Sequence, residues 1–369
     1  MRGIVMLIMA VDHASGAYNA DKLVTDSVVQ YNPEMALPAL QFWVRWLSHL
    51  CAPTFLFLAG TSLALSIERK RQRGVPERQS DRDLLVRGAI IIGLDLAFIN
   101  LFWGSGGLLL QVLYAIGGAM IVMIPARRLP TGWLVGGGLA VLALTEVLLP
   151  NIAQVPEPLQ TVLALLFSFG RRHGLLILYP IMPWMAVMAL GWGFGRYLVK
   201  ASDDRSEAGD GARAPMSPAT ALLILGALSL AVFAVLRGLN GFGNMALLRY
   251  DSTLIQWAHV SKYPPSLTFV SLELGIMALV MSGLFWYHGR RDEVSQNHPV
   301  LVFGQTALFF YLAHIMILEL SSEALSMHKT EGLPVTLTAA AIVVVGLYVP
   351  CRAYRSLKAR HPKSLLRYI

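Results

Sequence analysis

WLSHLCAPTFLFLAGTSLALS (46–66) runs for 21 residues with one histidine and no acid, lysine or arginine, and Arg69, Lys70, Arg71 and Arg73 follow shortly after it. About 20 apolar residues in a helix cross the hydrocarbon layer of a bilayer, and a basic cluster beyond such a run marks its cytoplasmic end. Widened to 40–66, this stretch is one of a series of apolar runs, the others being 1–18, 86–104, 107–125, 131–149, 174–197, 218–237, 265–287, 299–321 and 333–351. The pattern predicts an all-α polytopic membrane protein of about ten transmembrane helices. The apolar piece Thr161–Phe169 is too brief to cross and reads as interfacial or re-entrant.

The composition agrees. Hydrophobic residues make up 55% of the 369 and charged residues 14%, with a mean hydropathy of +0.57; a soluble domain carries about a quarter charged residues. With Arg2 placed inside, the alternate connections and the tail hold 22 of the 30 lysines and arginines, which predicts that both termini are cytoplasmic and the chain sits in the plasma (inner) membrane. The net charge of +8 follows from the same bias and points to anionic lipid headgroups or an anionic cytosolic ligand, with no nucleic acid as partner. The polar stretch 198–217 reads as a cytoplasmic linker, disordered by its composition, between the first six helices (1–197) and the last four with their basic tail (218–369), all in one transmembrane domain. Cys51 and Cys351 are too few and too badly placed for a disulfide framework. The opening MRGIVMLIMAVDH lacks the regions of a signal peptide and reads as the first membrane helix, with a few residues upstream of Met1 missing. No internal repeat is evident, which weakens an inverted-repeat transporter.

Ionisable groups at membrane depth are rare and mark substrate, proton or ion paths. His13, His49 and His314 are such groups. Arg2 and His13 are eleven residues apart, about three turns, so they share a face of the first helix with the histidine roughly 16 Å deeper, near the midplane. In the second segment Arg45, His49 and Pro53 follow at i, i+4 spacing, and His49 falls at a similar depth, so two imidazoles can meet in one pocket. An imidazole takes and returns a proton near neutral pH. The alternative is that each histidine serves as an interhelical hydrogen-bonding group. Asp12 adjoins His13 but points about 100° away, toward another helix. Asp95, Glu146, Glu273 and Glu319 are further acids in apolar runs that could orient an imidazole or carry a proton. GWGFG (191–195) follows no strand and reads as close helix packing, not a phosphate loop. Trp43, Trp46, Tyr179 and Trp184 read as interface anchors.

Six blocks carry a family resemblance: RGIVMLIMAVDH (2–13), the quoted 46–66, YPIMPWMAVMALGWGFGR (179–196), KYPPSLTFVSLELG (262–275), FGQTALFFYLAHI (303–315) and YVPCRAYRSLKARHP (348–362). Together they resemble a bacterial membrane-protein family similar to the catalytic domain of heparan-α-glucosaminide N-acetyltransferase, within the transmembrane acyltransferase group. The resemblance implies acyl transfer across a membrane, from cytosolic acetyl-CoA to an amino sugar or other glycan on the far side. It implies no metal and leaves a homo-oligomer open. His13, His49 and Asp12 are then the candidate catalytic residues, and Arg2, Arg45, Lys262, Tyr263 and His314 the candidate substrate contacts. The polyanionic CoA nucleotide would suit Arg2 and the basic 69–87 loop, although that loop also reads as a plain topology signal. A histidine at the thioester acts either as general base or as acyl carrier. The eukaryotic branch is held to use a histidine just beyond helix one; the loop Ala14–Gln41 has none, leaving His13 and His49 as its nearest substitutes. A transporter or flippase for a small or lipid-linked anion is the alternative function, and an envelope scaffold a third.

Overall fold

The computed structural model describes residues 1–104, 106–207, 216–289, 295–361, 364 and 366. Positions 208–215 of the linker, the side chain of Arg205, and Arg213, Arg290, Arg291, Lys363 and Arg367 of the charge count lie outside that description. The helices run α1 (Arg2–Tyr18), α2 (Ala39–Leu47), α3 (Cys51–Gln72), α4 (Glu77–Leu94), α5 (Asn100–Trp103), α6 (Val112–Ala126), α7 (Thr131–Leu148), α8 (Glu157–Phe167), α9 (Ile181–Glu207), α10 (Pro218–Leu239), α11 (Leu254–Ala258), α12 (Leu267–His288), α13 (Pro299–Gln305), α14 (Ala307–Ala324) and α15 (Leu333–Arg360). Three short strands, β1 (Leu108–Leu110), β2 (Gly170–Arg172) and β3 (Leu175–Ile177), form a small sheet in the order β1-β3-β2.

Among the described residues, seven helical stretches are long and apolar enough to cross a membrane: Ala39–Gln72, Glu77–Trp103, Thr131–Gln154, Pro218–Leu239, Leu267–His288, Ala307–Ala324 and Leu333–Arg360. The other three expected segments are helices as well, α1, α6 and α9, of 17, 15 and 27 residues. Two of them start later than expected because β1 and β3 occupy their first residues. Large apolar side chains stand outward on α10 and α15, Leu228, Val235, Ile342 and Val345 each at least half exposed. Such stripes would be aggregation sites in water; against acyl chains they are the expected surface. The chain is a multi-pass membrane protein.

Several boundaries depart from expectation for local reasons. The 40–66 segment is not one α-helix, since a 3₁₀ turn at Ser48–Leu50 joins α2 to α3. Pro53 lacks the amide that would bond the carbonyl of His49, and the ladder tightens just before it. The expected 299–321 segment breaks at Thr306, between α13 and α14. Helix α9 continues as far as Glu207, well into the stretch read as linker. Helix α8, eleven residues long, is too short to cross.

The chain forms two compact units. The first comprises Met1–Thr54, Arg249–His259 and Trp286–Ile369; the second comprises Phe55–Leu248 and Val260–Phe285. In the first, α1 packs against α13, α14 and α15 and also meets α2. Gly3 makes the approach to α13 possible, because a Cβ there would stand 1.8 Å from the carbonyl oxygen of Val300. In the second, α4 packs on α6, and α6 and α7 on α9. The GWGFG glycines do serve helix packing: a Cβ on Gly191 would stand 1.9 Å from the carbonyl oxygen of Phe57. Tyr179 and Trp184 are interior rather than interfacial, and Trp184 is wholly buried against Tyr179 and Phe269.

Candidate functional site

The polar residues of the first unit gather around the end of α1 that lies away from Met1. His13 and Asp12 are neighbours in the chain, and the helix sends them to different partners. Packing of α14 on α1 brings His314 to His13, with Nδ1 of His13 and Nε2 of His314 2.7 Å apart. The rings are nearly parallel, 4° apart, with centroids at 4.8 Å. A nitrogen separation this far below the ~3.5 Å contact of stacked atoms means that the rings meet edge to edge in one plane. Tyr311 closes one side, its ring edge-on to His13 at 5.7 Å.

With both rings neutral, the hydrogen bonds set the tautomers. Nδ1 of His314 lies 2.7 Å from the carbonyl oxygen of Phe310, which can only accept, so Nδ1 carries the hydrogen. In the neutral ring Nε2 of His314 is then an acceptor, and Nδ1 of His13 donates to it. By the same valence rule the basic lone pair of the pair sits on Nε2 of His13. His314 is fully buried and His13 only partly, so the basic nitrogen belongs to the more accessible ring.

Asp12 turns to α2, as its 100° offset from His13 requires. Arg45 Nη1 donates to Asp12 Oδ1 at 2.6 Å, and Lys22 lies 3.4 Å from the same oxygen while also donating to the Asp12 carbonyl at 2.9 Å. The other edge of the Arg45 guanidinium grips Asp26, with Nε donating to Oδ2 at 3.0 Å and Nη2 to the same oxygen. Asp26 Oδ1 pairs with His49 Nε2 at 3.1 Å. Asp26 and His49 are almost wholly enclosed, Asp12 and Arg45 nearly so. Two carboxylates sharing one arginine in a place of low polarity are tolerable because each has a cation or N–H donor on it.

The loop between α1 and α2 is held by distant residues. His259 Nε2 donates to the carbonyl of Thr25 at 2.7 Å, next to Asp26, and Tyr31 stands edge-on to His259 at 4.5 Å. Gln256 donates to the Tyr31 hydroxyl at 3.2 Å. Asn19 forms a bridge with Glu331, and Tyr18 shares a hydrogen bond with Ser321 at 2.7 Å.

The imidazole expected to meet His49 meets a different partner: His13 pairs with His314, and His49 pairs with Asp26 and connects toward α1 through Arg45 and Asp12. Arg2 is half-buried at the opposite end of α1. Lys262 and Tyr263 belong to the second unit, both buried, with the Lys262 ammonium 5.3 Å from the Tyr263 ring and the Tyr263 hydroxyl 3.2 Å from that of Tyr179. Of the other acids, Asp95 accepts from the amide of Gln111, Glu146 from the amides of Gly243 and Met245, and Glu319 faces His328 at 3.8 Å. Glu273 is buried within the second unit. Sequence reasoning missed Asp26, Lys22 and His259, which lie on irregular connections where spacing carries no signal. Among the described residues no group of three or more His, Cys, Asp or Glu side chains gathers as a metal site would require.

A search of curated proteins found no match. The profile described as "Heparan-alpha-glucosaminide N-acetyltransferase, catalytic" matches residues 1–237, which contain Asp12, His13, Asp26, Arg45 and His49. With more than half the chain under that profile, from the first helix into α10, the protein belongs to the heparan-alpha-glucosaminide N-acetyltransferase catalytic family.

Proposed function

We propose that this membrane acyltransferase carries an acetyl group from cytosolic acetyl-CoA to an amino sugar or other glycan acceptor on the far side, with His13 Nε2 as the reacting nitrogen. The observation that carries the reading is the His13–His314 pair, whose hydrogen bonds leave the lone pair on the more accessible ring. As general base, that nitrogen takes the proton of the acceptor amine or hydroxyl while the acceptor atom attacks the thioester carbonyl. The carbon–sulfur bond breaks and the imidazolium returns its proton to the departing thiolate. As acyl carrier, the same nitrogen attacks the thioester carbonyl and expels the CoA thiolate; the acceptor amine or hydroxyl then attacks the acetyl-imidazole, the bond to Nε2 breaks, and the acceptor's proton passes by way of the freed nitrogen to the thiolate. His314 spreads the positive charge that forms on His13 in either route.

Asp12 acts as a positioning residue through Arg45, and Asp26 holds His49. Arg45, His49 and Lys22 form the polar wall that we assign to the acceptor, whose hydroxyls and amine need paired donors and acceptors. Lys262 and Tyr263 remain substrate contacts on the family resemblance alone. Arg2 lies roughly 16 Å along α1 from His13, a distance suited to a nucleotide at the surface and a pantetheine arm reaching inward. The deciding experiment incubates purified protein in liposomes with acetyl-CoA and a panel of amino sugars and glycans, and identifies products by mass spectrometry. Acetylated acceptor is expected; intact acetyl-CoA across the whole panel would remove the proposal.

Two further outcomes follow from the same arrangement. Arg2→Ala should raise the apparent KM for acetyl-CoA several-fold and leave kcat nearly unchanged, because a surface cation near phosphates contributes to binding more than to chemistry. A drop in kcat with KM unchanged would place Arg2 elsewhere in the reaction. The orientation with both termini cytoplasmic, supported by the positive-inside charge bias, predicts that single cysteines at Asn151 and Ser326 react with an impermeant maleimide from outside and one at Gln79 does not. Inverted labelling would turn the site around.

A further inference from the structure

The hairpin between α3 and α4 carries the basic residues Arg69, Lys70, Arg71, Arg73, Arg78, Arg82 and Arg87, and its acids are distributed unevenly around α4. At 100° per residue, Arg78, Arg82, Leu85, Ala89, Gly93 and Leu96 fall within about 80° of one another. All six are exposed, whereas Ser80, Leu84, Gly88 and Ile91, on the opposite side, are buried toward α6. The three acids of these turns lie outside the exposed stripe: Glu77 is exposed at the first position of α4, 100° around the helix from Arg78, and the other two reach to basic partners away from the stripe. Asp81 receives Arg127 Nη2 at 2.7 Å and Arg128 Nη2 at 2.6 Å, and Asp83 receives Lys70 at 2.7 Å. Glu68, behind them on α3, is taken up by Arg71 at 2.7 Å and Arg196 at 3.1 Å.

The outward face of α4 thus changes from apolar to cationic along a single line. The helical stretch Glu77–Trp103 has 27 residues, about seven more than the hydrocarbon layer needs. If Leu85, Ala89, Gly93 and Leu96 face acyl chains, Arg78 and Arg82 stand at the depth of the headgroups, one turn apart. Their guanidinium groups are oriented toward the lipid by the same helix face that carries the apolar residues below. We propose that Arg78 and Arg82 form a binding site for an anionic phospholipid headgroup, its acyl chains lying along Leu85, Ala89 and Leu96. The occupant is a lipid and not a free phosphate compound, because the cationic pair continues directly into an apolar stripe that a soluble anion would not cover. This inference is independent of the transfer reaction.

The test uses the full chain in nanodiscs of phosphatidylcholine with and without phosphatidylglycerol, with retained lipid counted by native mass spectrometry. Wild-type protein should retain phosphatidylglycerol in preference to phosphatidylcholine. Arg78→Gln and Arg82→Gln should each lower that preference about fivefold, the effect of one basic residue at an anionic surface, and the Arg71→Gln control should leave it unchanged. Equal preference in wild type and both variants, or no preference in wild type, would overturn the site. Protection of Arg78 and Arg82 from phenylglyoxal by CoA or inorganic phosphate, without anionic lipid, would also overturn it in favour of a soluble ligand. The single variants retain every buried contact of α4, so loss of fold does not confound the comparison.

Discussion

Replacing His13 by alanine is expected to lower acetyl transfer by about 10²–10⁴-fold while the protein still folds and inserts. Two magnitudes separate those effects. A reacting imidazole contributes several powers of ten to rate, whereas the neutral hydrogen bond lost with His314 is worth about 1 kcal/mol, out of a stability of roughly 5–15 kcal/mol. His314 keeps its own bond to the Phe310 carbonyl in the variant, so its ring stays in place. His314→Ala should reduce turnover less than His13→Ala does, since His13 retains its nitrogen but loses the partner that sets its tautomer. Acetyl-CoA turnover in proteoliposomes at matched expression measures all of this. Wild-type turnover in both His13→Ala and His49→Ala would end any histidine-centred mechanism. Incubation of wild type without acceptor separates the two routes, because an acetyl adduct recovered on His13 marks the carrier and unmodified protein marks the base.

Arg45→Met should be the most destabilising of the substitutions considered. It strips the guanidinium from two carboxylates, and Asp26, at 3% side-chain exposure, is then left buried with His49 as its remaining partner in the cluster. Removing one partner of a buried pair costs about 3–5 kcal/mol, a large part of the whole stability. Asp12 suffers less, because Lys22 stays 3.4 Å away. The double variant Asp26→Asn/Arg45→Met should recover much of the loss, since no uncompensated charge remains on Asp26. Thermal unfolding in nanodiscs reads both. A single variant as stable as wild type would show that the cluster is solvated and the charge network weak.

What could be read in the chain and what could not divide along physical lines. Apolar runs are a property of consecutive residues, so nearly every span was visible, as was the divergence of Asp12 and His13, which needs only the helical angle. The glycine packing of 191–195 was visible for the same reason. The partner of His13 was not: His314 is 301 positions away, and its arrival depends on which face of α14 packs against α1. Asp26 and Lys22 sit on a connection with no repeating geometry, where an acid and a lysine look like any solvated pair. Tyr179 and Trp184 were misplaced because an aromatic residue near a helix end has the same sequence signature whether it turns to the headgroups or inward. The three-residue strands left no pattern of alternation to read.

The anchoring of the first loop sets an order on biosynthesis. Asp12, Asp26, Arg45 and His49 leave the ribosome among the first fifty residues, but His259, which holds the Thr25 carbonyl beside Asp26, follows some two hundred residues later, and His314 later still. The charged residues therefore have one another as partners early, and the groups that hold the loop backbone come much later. A nascent chain halted after residue 237 contains everything that the family profile matches and still lacks the second imidazole. On the mechanism proposed above, such a chain has the reacting ring but not the partner that sets its tautomer.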